Sequence, residues 1–326
     1  MGGVLNISKR ILEEINNSTG FNEDLIEKVL RLEGLLQDIF RHPFLKNRLL
    51  LKGGTALNFC YLNRSRLSVD IDLNYIGNVE LGIMRQERPK MDEAFIRIVK
   101  DKGYSLLKEP GNEHAGGKWR LGYKNIWGDN KNLEFDINYL FRVPIGTPEK
   151  KFFKAFDDSG QFEIAIVSKE ELFAGKFVAA LDRVTARDVY DLANIVDYSQ
   201  NYDMQLFRKT VILFGASKRE DLREFRLDRL WNVSDAEIEA SLYPLLPLDK
   251  RIDKKDILNK IDPFVKDLLR FTSSEKEFLD RYLDYADYRP EILFHGYPDL
   301  IPLLKKHPAL LWKRLNIEEF LNRSKN

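Results

Sequence analysis

Two aspartates, Asp70 and Asp72, stand two positions apart in a segment whose alternating polar and apolar residues predict a β-strand over residues 68–75. Side chains two apart on a strand project from the same face, so the carboxylates would lie side by side while Ile71 and Leu73 face the core. Neighbouring carboxylates repel each other, and a divalent cation removes that penalty. The pair therefore predicts a site for one or two Mg²⁺ ions bound together with substrate phosphates.

A glycine turn precedes this strand. Gly53 and Gly54 follow Lys52 and lead through Thr55 into a predicted short helix that starts at Ala56. Glycines let the backbone approach a phosphate, and a helix N-terminus offers free N–H groups and a favourable dipole to an anion. Phosphoryl and nucleotidyl transfer need both a phosphate cradle and a metal site. Either feature alone is usually an ordinary turn or a solvated strand edge, so their order and closeness carry the hypothesis.

A later alternating segment, residues 133–139, places Glu134, Asp136 and Asn138 on one face of another predicted strand. One of its acids would complete a metal triad or act as a base toward the attacking hydroxyl. We favour Asp136 as the third metal ligand. Glu134 is the alternative, and a half-exposed strand with an ordinary polar face is the non-functional interpretation.

The elements around these residues predict an α+β protein. Two amphipathic helices account for residues 4–40, with Asn22 as a helix cap, and the strands fall between residues 50 and 167. From Ser168, which has the sequence signature of a helix cap, the pattern is helical almost to the C-terminus. We expect N-terminal helices plus a catalytic core over residues 1–167 and a helical domain over residues 168–326.

Composition narrows the class of protein. The 326 residues include a single cysteine, Cys60, and no apolar run of the roughly 18 residues that a membrane span needs. Residues 1–8 lack the features of a signal peptide. These features predict a cytoplasmic protein with no membrane partner, and the four scattered histidines argue against a zinc site.

The net charge of +1 shows no global basic excess, so an RNA partner would need a local patch. His114, which lies among glycines, is a candidate for a substrate contact. The C-terminal segment offers a candidate RNA-binding surface, with a basic helical face of no further role as the alternative. Its cations are Lys305, Lys306, His307, Lys313, Arg314, Arg323 and Lys325.

Two separated blocks carry a family resemblance. Residues 52–57 and 66–73 resemble the opening motif of the AbiEii/AbiGii toxin family, nucleotidyltransferase-like toxins of the DNA polymerase β superfamily. Residues 173–183 and 186–192 are similar to the family's later block, in which a helix carries a lysine and is followed by an arginine–aspartate pair and another aspartate. The resemblance implies a polymerase-β-type core with a small mixed sheet, N-terminal helices and a helical C-terminal lobe.

The resemblance also implies residue roles. Gly53, Gly54 and Thr55 would contact the triphosphate of an NTP, and Asp70 and Asp72 would bind Mg²⁺. In the later block, Lys176 would reach the phosphates and Asp191 would be a further functional acid. We add five neighbouring residues as nucleotide-binding candidates: Lys52, Arg66, Ser68, Arg183 and Arg187.

Some of these candidates have a structural alternative. Lys176 and Arg183 are seven residues apart and share a helical face, which would bind polyphosphate if it faced the aspartate strand. The alternative is a solvated helical face or ion pairs within a helix, for instance Arg187 with Asp191. Ser68 would otherwise bond the loop backbone, and Arg66 would lie in a surface loop.

The reaction implied is attack of an acceptor hydroxyl on the α-phosphate of an NTP, with release of pyrophosphate. The resemblance implies a toxin of a toxin–antitoxin or phage-defence system, with an RNA acceptor, a tRNA 3′ end foremost, and a cognate antitoxin encoded adjacently. Two rival functions stay open. One is a small-molecule nucleotidyltransferase, and the other is a module that binds NTP or RNA without turnover.

Overall fold

The computed structural model describes residues 7–111, 115–156, 160–198 and 202–323. Two of the residues named above, His114 and Lys325, lie outside those ranges. The chain divides into two compact units. The sheet unit comprises Met1–Arg142, Pro148–Val167 and Glu239–Arg251, and the helical unit comprises Val143–Thr147, Ser168–Ile238 and Ile252–Asn326.

Seven strands of the described residues form one mixed sheet in the sheet unit. They are β1 (Leu49–Lys52), β2 (Asp70–Tyr75), β3 (Ser105–Lys108), β4 (Gly116–Lys124), β5 (Asn130–Asn138), β6 (Glu149–Phe153) and β7 (Phe162–Ile166). Their order across the sheet is β3-β4-β5-β2-β1-β7-β6. The pairs β2–β5 and β1–β7 are parallel, and the other neighbours are antiparallel. The expected α+β fold with a mixed sheet is confirmed.

Helices surround the sheet in its own unit and make up most of the other. The sheet unit holds α1 (Lys9–Thr19), α2 (Glu23–Arg41), α3 (Gly53–Cys60) and α4 (Leu81–Asp101). The helical unit holds α5 (Lys169–Arg183), α6 (Ala186–Asp197), α7 (Met204–Ala216), α8 (Asp235–Glu237), α9 (Lys254–Leu268), α10 (Ser273–Tyr285), α11 (Pro290–Leu293), α12 (Ile301–Leu304) and α13 (Pro308–Arg323). None of the helices in the described part of the chain has the length and hydropathy of a transmembrane span.

The predicted caps form. The Asn22 side chain accepts a hydrogen bond from the backbone N–H of Asp24 at the start of α2, and Ser168 accepts one from Glu171 at the start of α5. Each supplies a partner to a first-turn N–H that has none within the helix. The short helix α3 begins at Gly53, three residues before the predicted start, because the glycine turn itself is its first turn.

Strand β1, in the interior of the sheet, corresponds to an ambiguous stretch of sequence. Its three leucines, Leu49, Leu50 and Leu51, fit either a buried strand or a helix end by pattern alone. All three are buried, and successive side chains point to opposite faces, so both faces of β1 are covered. A strand covered on both faces shows a continuous apolar run instead of alternation.

Candidate active site

The two acidic strands lie next to each other. Strands β2 and β5 run parallel in register, with Asp70 beside Glu134 and Asp72 beside Asp136. Register partners project from the same face of a sheet, so these four acids form one cluster, here called the carboxylate row. The intervening Ile71 and Phe135 are each 1% exposed and pack on the opposite face.

The glycine turn contacts this row. A Cβ atom placed on Gly53 would lie 2.1 Å from Oδ2 of Asp72 and 2.9 Å from its Cβ, and Gly53 has a φ of +73°. Lys52, the neighbour of Asp72 across β1 and β2, occupies the N-cap position of α3 and makes no side-chain capping hydrogen bond. The start of α3 therefore lies against a carboxylate with its capping position unused by a side chain.

Several predicted nucleotide-binding side chains are buried under this turn. The Thr55 hydroxyl bonds the carbonyl oxygen of Asp70 and lies 3.0 Å from the Ser68 hydroxyl. Thr55 is 0% and Ser68 6% exposed, so both side chains fasten α3 to the start of β2. Arg66 is also buried, and its guanidinium donates to the carbonyl of Leu67 at 2.8 Å.

One positioning residue, Asn58, is not predicted by any sequence pattern. The buried Asn58 side chain donates to the Gly54 carbonyl at 3.0 Å and accepts from the Ser65 hydroxyl at 2.8 Å. It also accepts from the backbone N–H of Arg66 at 3.3 Å. Asn58 thus ties the first turn of α3 to the loop before β2. A lone asparagine inside a short helix gives no pattern from which this role could be predicted.

Two cations of β4 hold one acid of the row. Lys118 lies 2.9 Å and Arg120 2.6 Å from the Glu134 carboxylate. The hydrogen bond from Lys118, supported by that from Arg120, keeps the pKa of Glu134 below its ordinary value. Within the described ranges, no three acidic, histidine or cysteine side chains are grouped closely enough to hold a metal ion as they stand.

The later block forms a second charged cluster, within the helical unit. The Lys176 ammonium on α5 lies 2.9 Å from the Asp191 carboxylate and 3.5 Å from that of Asp188, both on α6. Arg183 pairs with Asp188 at 2.8 Å. The Asp191 side chain is 0% exposed and that of Lys176 10%. Asp191 thus pairs with Lys176. The non-functional interpretation of the sequence had proposed Arg187 as the partner of Asp191. Arg187 is half-buried on α6.

A sequence profile described as "Nucleotidyl transferase AbiEii toxin, Type IV TA system" matches residues 34–284, which is well over half of the chain and includes both charged clusters. This chain belongs to the AbiEii family. It is a nucleotidyltransferase toxin of a type IV toxin–antitoxin system. Membership in such a system implies an antitoxin partner. No curated protein sequence matches it.

The AbiEii assignment agrees with the fold. The structure is similar to MenT4, a nucleotidyltransferase toxin from Mycobacterium tuberculosis H37Rv, with a TM-score of 0.65 and 17% sequence identity. The match covers 92% of this chain and 99% of that one. At this identity the likeness shows that the two proteins share a fold.

In this AbiEii protein several cations of the C-terminal segment form ion pairs or hydrogen bonds within the helical unit. Lys305 pairs with Glu291, Arg314 with Glu318 and Arg323 with Glu319. The Lys313 ammonium donates to the backbone carbonyl of Lys218 at 2.6 Å, and burial lowers its pKa. His307 is fully buried. Lys305, Arg314 and Arg323 remain 54%, 38% and 79% exposed, so RNA binding by this segment stays a prediction.

Gly53→Ala tests the contact between the glycine turn and Asp72. We expect transfer activity to fall by about 10²-fold, because the new methyl group displaces the Asp72 carboxylate, and a 1 Å misplacement has about this effect. Positive φ at a non-glycine residue adds roughly 1–3 kcal/mol of strain. Activity is measured by nucleotide transfer and stability by urea denaturation.

Gly103→Ala is the matched control. Gly103 has a φ of +76°, and a Cβ atom placed on it would meet no neighbouring atom of the described residues within 4 Å. The variant therefore carries the same backbone strain without the clash. Equal transfer activity in the Gly53 and Gly103 variants would show that the approach to Asp72 has no part in catalysis.

Proposed function

We propose that this toxin transfers a nucleoside monophosphate from an NTP to a hydroxyl of an RNA acceptor, a tRNA 3′ end foremost, in the cytoplasm and with Mg²⁺. The observation that carries the proposal is the contact of Gly53 with Asp72, which joins a helix N-terminus to the carboxylate row. A phosphate held at the start of α3 would lie next to the acids that bind metal.

The donor set of the carboxylate row fits magnesium. Asp70, Asp72 and Asp136 would supply hard oxygen ligands from one face of two adjacent strands, which is the chemistry that Mg²⁺ prefers. Glu134 is the weaker choice for the third ligand because two cations already hold its carboxylate. When bound, Mg²⁺ would neutralise charge on the phosphates and favour ionisation of the acceptor hydroxyl.

The chain's own groups then bind and orient the nucleotide. Backbone N–H groups at Gly53 and Gly54 would donate to triphosphate oxygens, and the half-buried Lys52 side chain would add a positive charge. Thr55, Ser68 and Arg66 keep the turn and β2 in place, so we assign them to positioning. In the helical unit, Lys176, Arg183 and Arg187 stay our candidates for phosphate contacts and Asp191 for a functional acid.

Label transfer tests the proposal. The purified full-length protein is incubated with Mg²⁺, deproteinised total RNA and each α-³²P-labelled NTP in turn, beside an Asp70→Asn variant and a sample with EDTA. We expect one or more NTPs to label a tRNA-sized band, and both controls to remove the label. A parallel reaction replaces the RNA with a protein-free extract of small molecules. Labelling of a small molecule there, without labelling of RNA, would contradict the RNA acceptor and support a small-molecule substrate.

If the protein binds NTP but labels no acceptor, the transferase reaction is contradicted, and the alternative of a non-catalytic binding module is supported. A cognate antitoxin, which we expect to be encoded adjacently, is tested separately by co-expressing the neighbouring reading frame and scoring rescue of growth. Rescue supports the assignment of that partner, and its absence with a well-expressed neighbour contradicts it.

A further inference from the structure

We infer that Lys118 and Arg120 form a binding site for the phosphate backbone of the acceptor strand, and that Glu134 holds both cations until the strand arrives. The inference rests on the proposed function in one respect, namely that the acceptor is a nucleic acid. It assigns a role to two exposed residues that the family motifs do not include.

The sheet register puts both cations on the face of the carboxylate row. Strand β4 runs antiparallel to β5, with Lys118 beside Asp136 and Arg120 beside Glu134. The alternate residue Trp119 is 1% exposed and packs on the other face. Although both cations are paired, the Lys118 and Arg120 side chains remain 50% and 49% exposed. They are therefore accessible to a ligand lying over this face of the sheet.

Lys118 and Arg120 lie on a different side of the carboxylate row from the glycine turn proposed to bind the triphosphate. Strand β1 and the start of α3 lie on one side of the carboxylate row, and β4 lies on the other. At about 4.8 Å per strand, β4 is roughly 10 Å from β2 across β5. Nucleotidyl transfer proceeds roughly in line, so the entering hydroxyl and the leaving pyrophosphate occupy opposite sides of the reacting phosphorus. With the triphosphate at Gly53, the β4 side faces the acceptor.

Glu134 has more cationic partners than the acid of an ordinary cross-strand pair, although Asp70 and Asp136 also attract Lys118. One carboxylate, Glu134, takes two cations, whereas Lys150 on β6 pairs with a single acid, Glu163 on β7, at 2.9 Å. The two cations are about half exposed, so water screens both pairs in part and a phosphodiester can compete with the 18% exposed Glu134 side chain for them. The guanidinium of Arg120 can also bind two phosphate oxygens at once.

The test measures RNA binding without turnover. Labelled tRNA is bound to the full-length protein in EDTA, without NTP, at several salt concentrations. We expect Lys118→Ala and Arg120→Ala each to weaken binding by about 5–10-fold and to reduce the slope of log K against log salt by about 0.7–0.9. Lys150→Ala is the matched control and should change neither. Glu134→Gln should tighten binding, because it removes the competing carboxylate.

A second measurement, binding of α-³²P-labelled NTP, shows whether β4 binds the phosphates of RNA or those of the NTP. We expect the β4 variants to bind NTP as the wild type does. Weaker NTP binding with unchanged RNA binding would place the triphosphate at β4 and overturn the inference. An equal loss of RNA binding in Lys150→Ala would also overturn it, by showing a general effect of charge. Because no transfer is measured, failure here is distinct from failure of the proposed reaction.

Discussion

Asp72→Asn is expected to lower the rate of nucleotidyl transfer by about 10³-fold or more, while the protein stays folded. Asparagine has nearly the same shape as aspartate, so the close contact with Gly53 is kept. The change removes one negative charge and one oxygen ligand from the carboxylate row. Since acids crowd this row, we expect the melting temperature to stay unchanged or to rise slightly.

Transfer is measured with saturating NTP and RNA, and melting by circular dichroism on the same samples. Glu163→Gln is the control, since it neutralises an exposed acid of the same sheet on β7 and should retain wild-type transfer. If Asp72→Asn kept more than about a tenth of the wild-type rate, the carboxylate row would not be the metal site.

Lys176→Met is expected to destabilise the protein by about 3–5 kcal/mol, because it leaves the buried Asp191 carboxylate without its cation. The same residue is our candidate for a phosphate contact, so a loss of activity in this variant alone would not separate the two roles. Replacing Asp191 as well removes the uncompensated charge. We expect Lys176→Met with Asp191→Asn to recover at least half of the lost stability.

The rate of nucleotide transfer distinguishes a role in substrate binding from a purely stabilising role. If Lys176 and Asp191 act on the substrate, the double variant stays at least about 10²-fold slower than the wild type despite its recovered stability. Lys260→Met is the control, because Lys260 and Asp197 form an exposed pair in the helical unit whose loss should cost no more than about 1 kcal/mol. A double variant that regained wild-type transfer would show that the pair only stabilises the helical unit.

The sequence alone allowed several elements to be predicted because their signals are local. The caps at Asn22 and Ser168 depend on a side chain and an N–H two or three residues away. The two faces of β2 follow from the period of two along one strand. The family motif supplied the nucleotidyltransferase assignment, which the profile match confirms.

Strand β6 (Glu149–Phe153) lies within the predicted strand region, but its own residues give little local signal. Among the described residues it pairs only with β7, at the edge of the sheet, and three of its five residues are charged. Charged residues on an edge strand discourage pairing with other chains, and they also blur the alternation by which strands are recognised.

The sequence by itself determined that Asp70 and Asp72 share a face, that glycines precede them, and that a helix carrying Lys176 follows later in the chain. Only the tertiary structure decided that Asp136 lies beside Asp72, that Gly53 touches that carboxylate, and that Lys176 pairs with Asp191. The physical reason is distance along the chain. Helical and strand periods follow from backbone geometry over a few residues, whereas the register of strands some 60 residues apart depends on how the whole core packs.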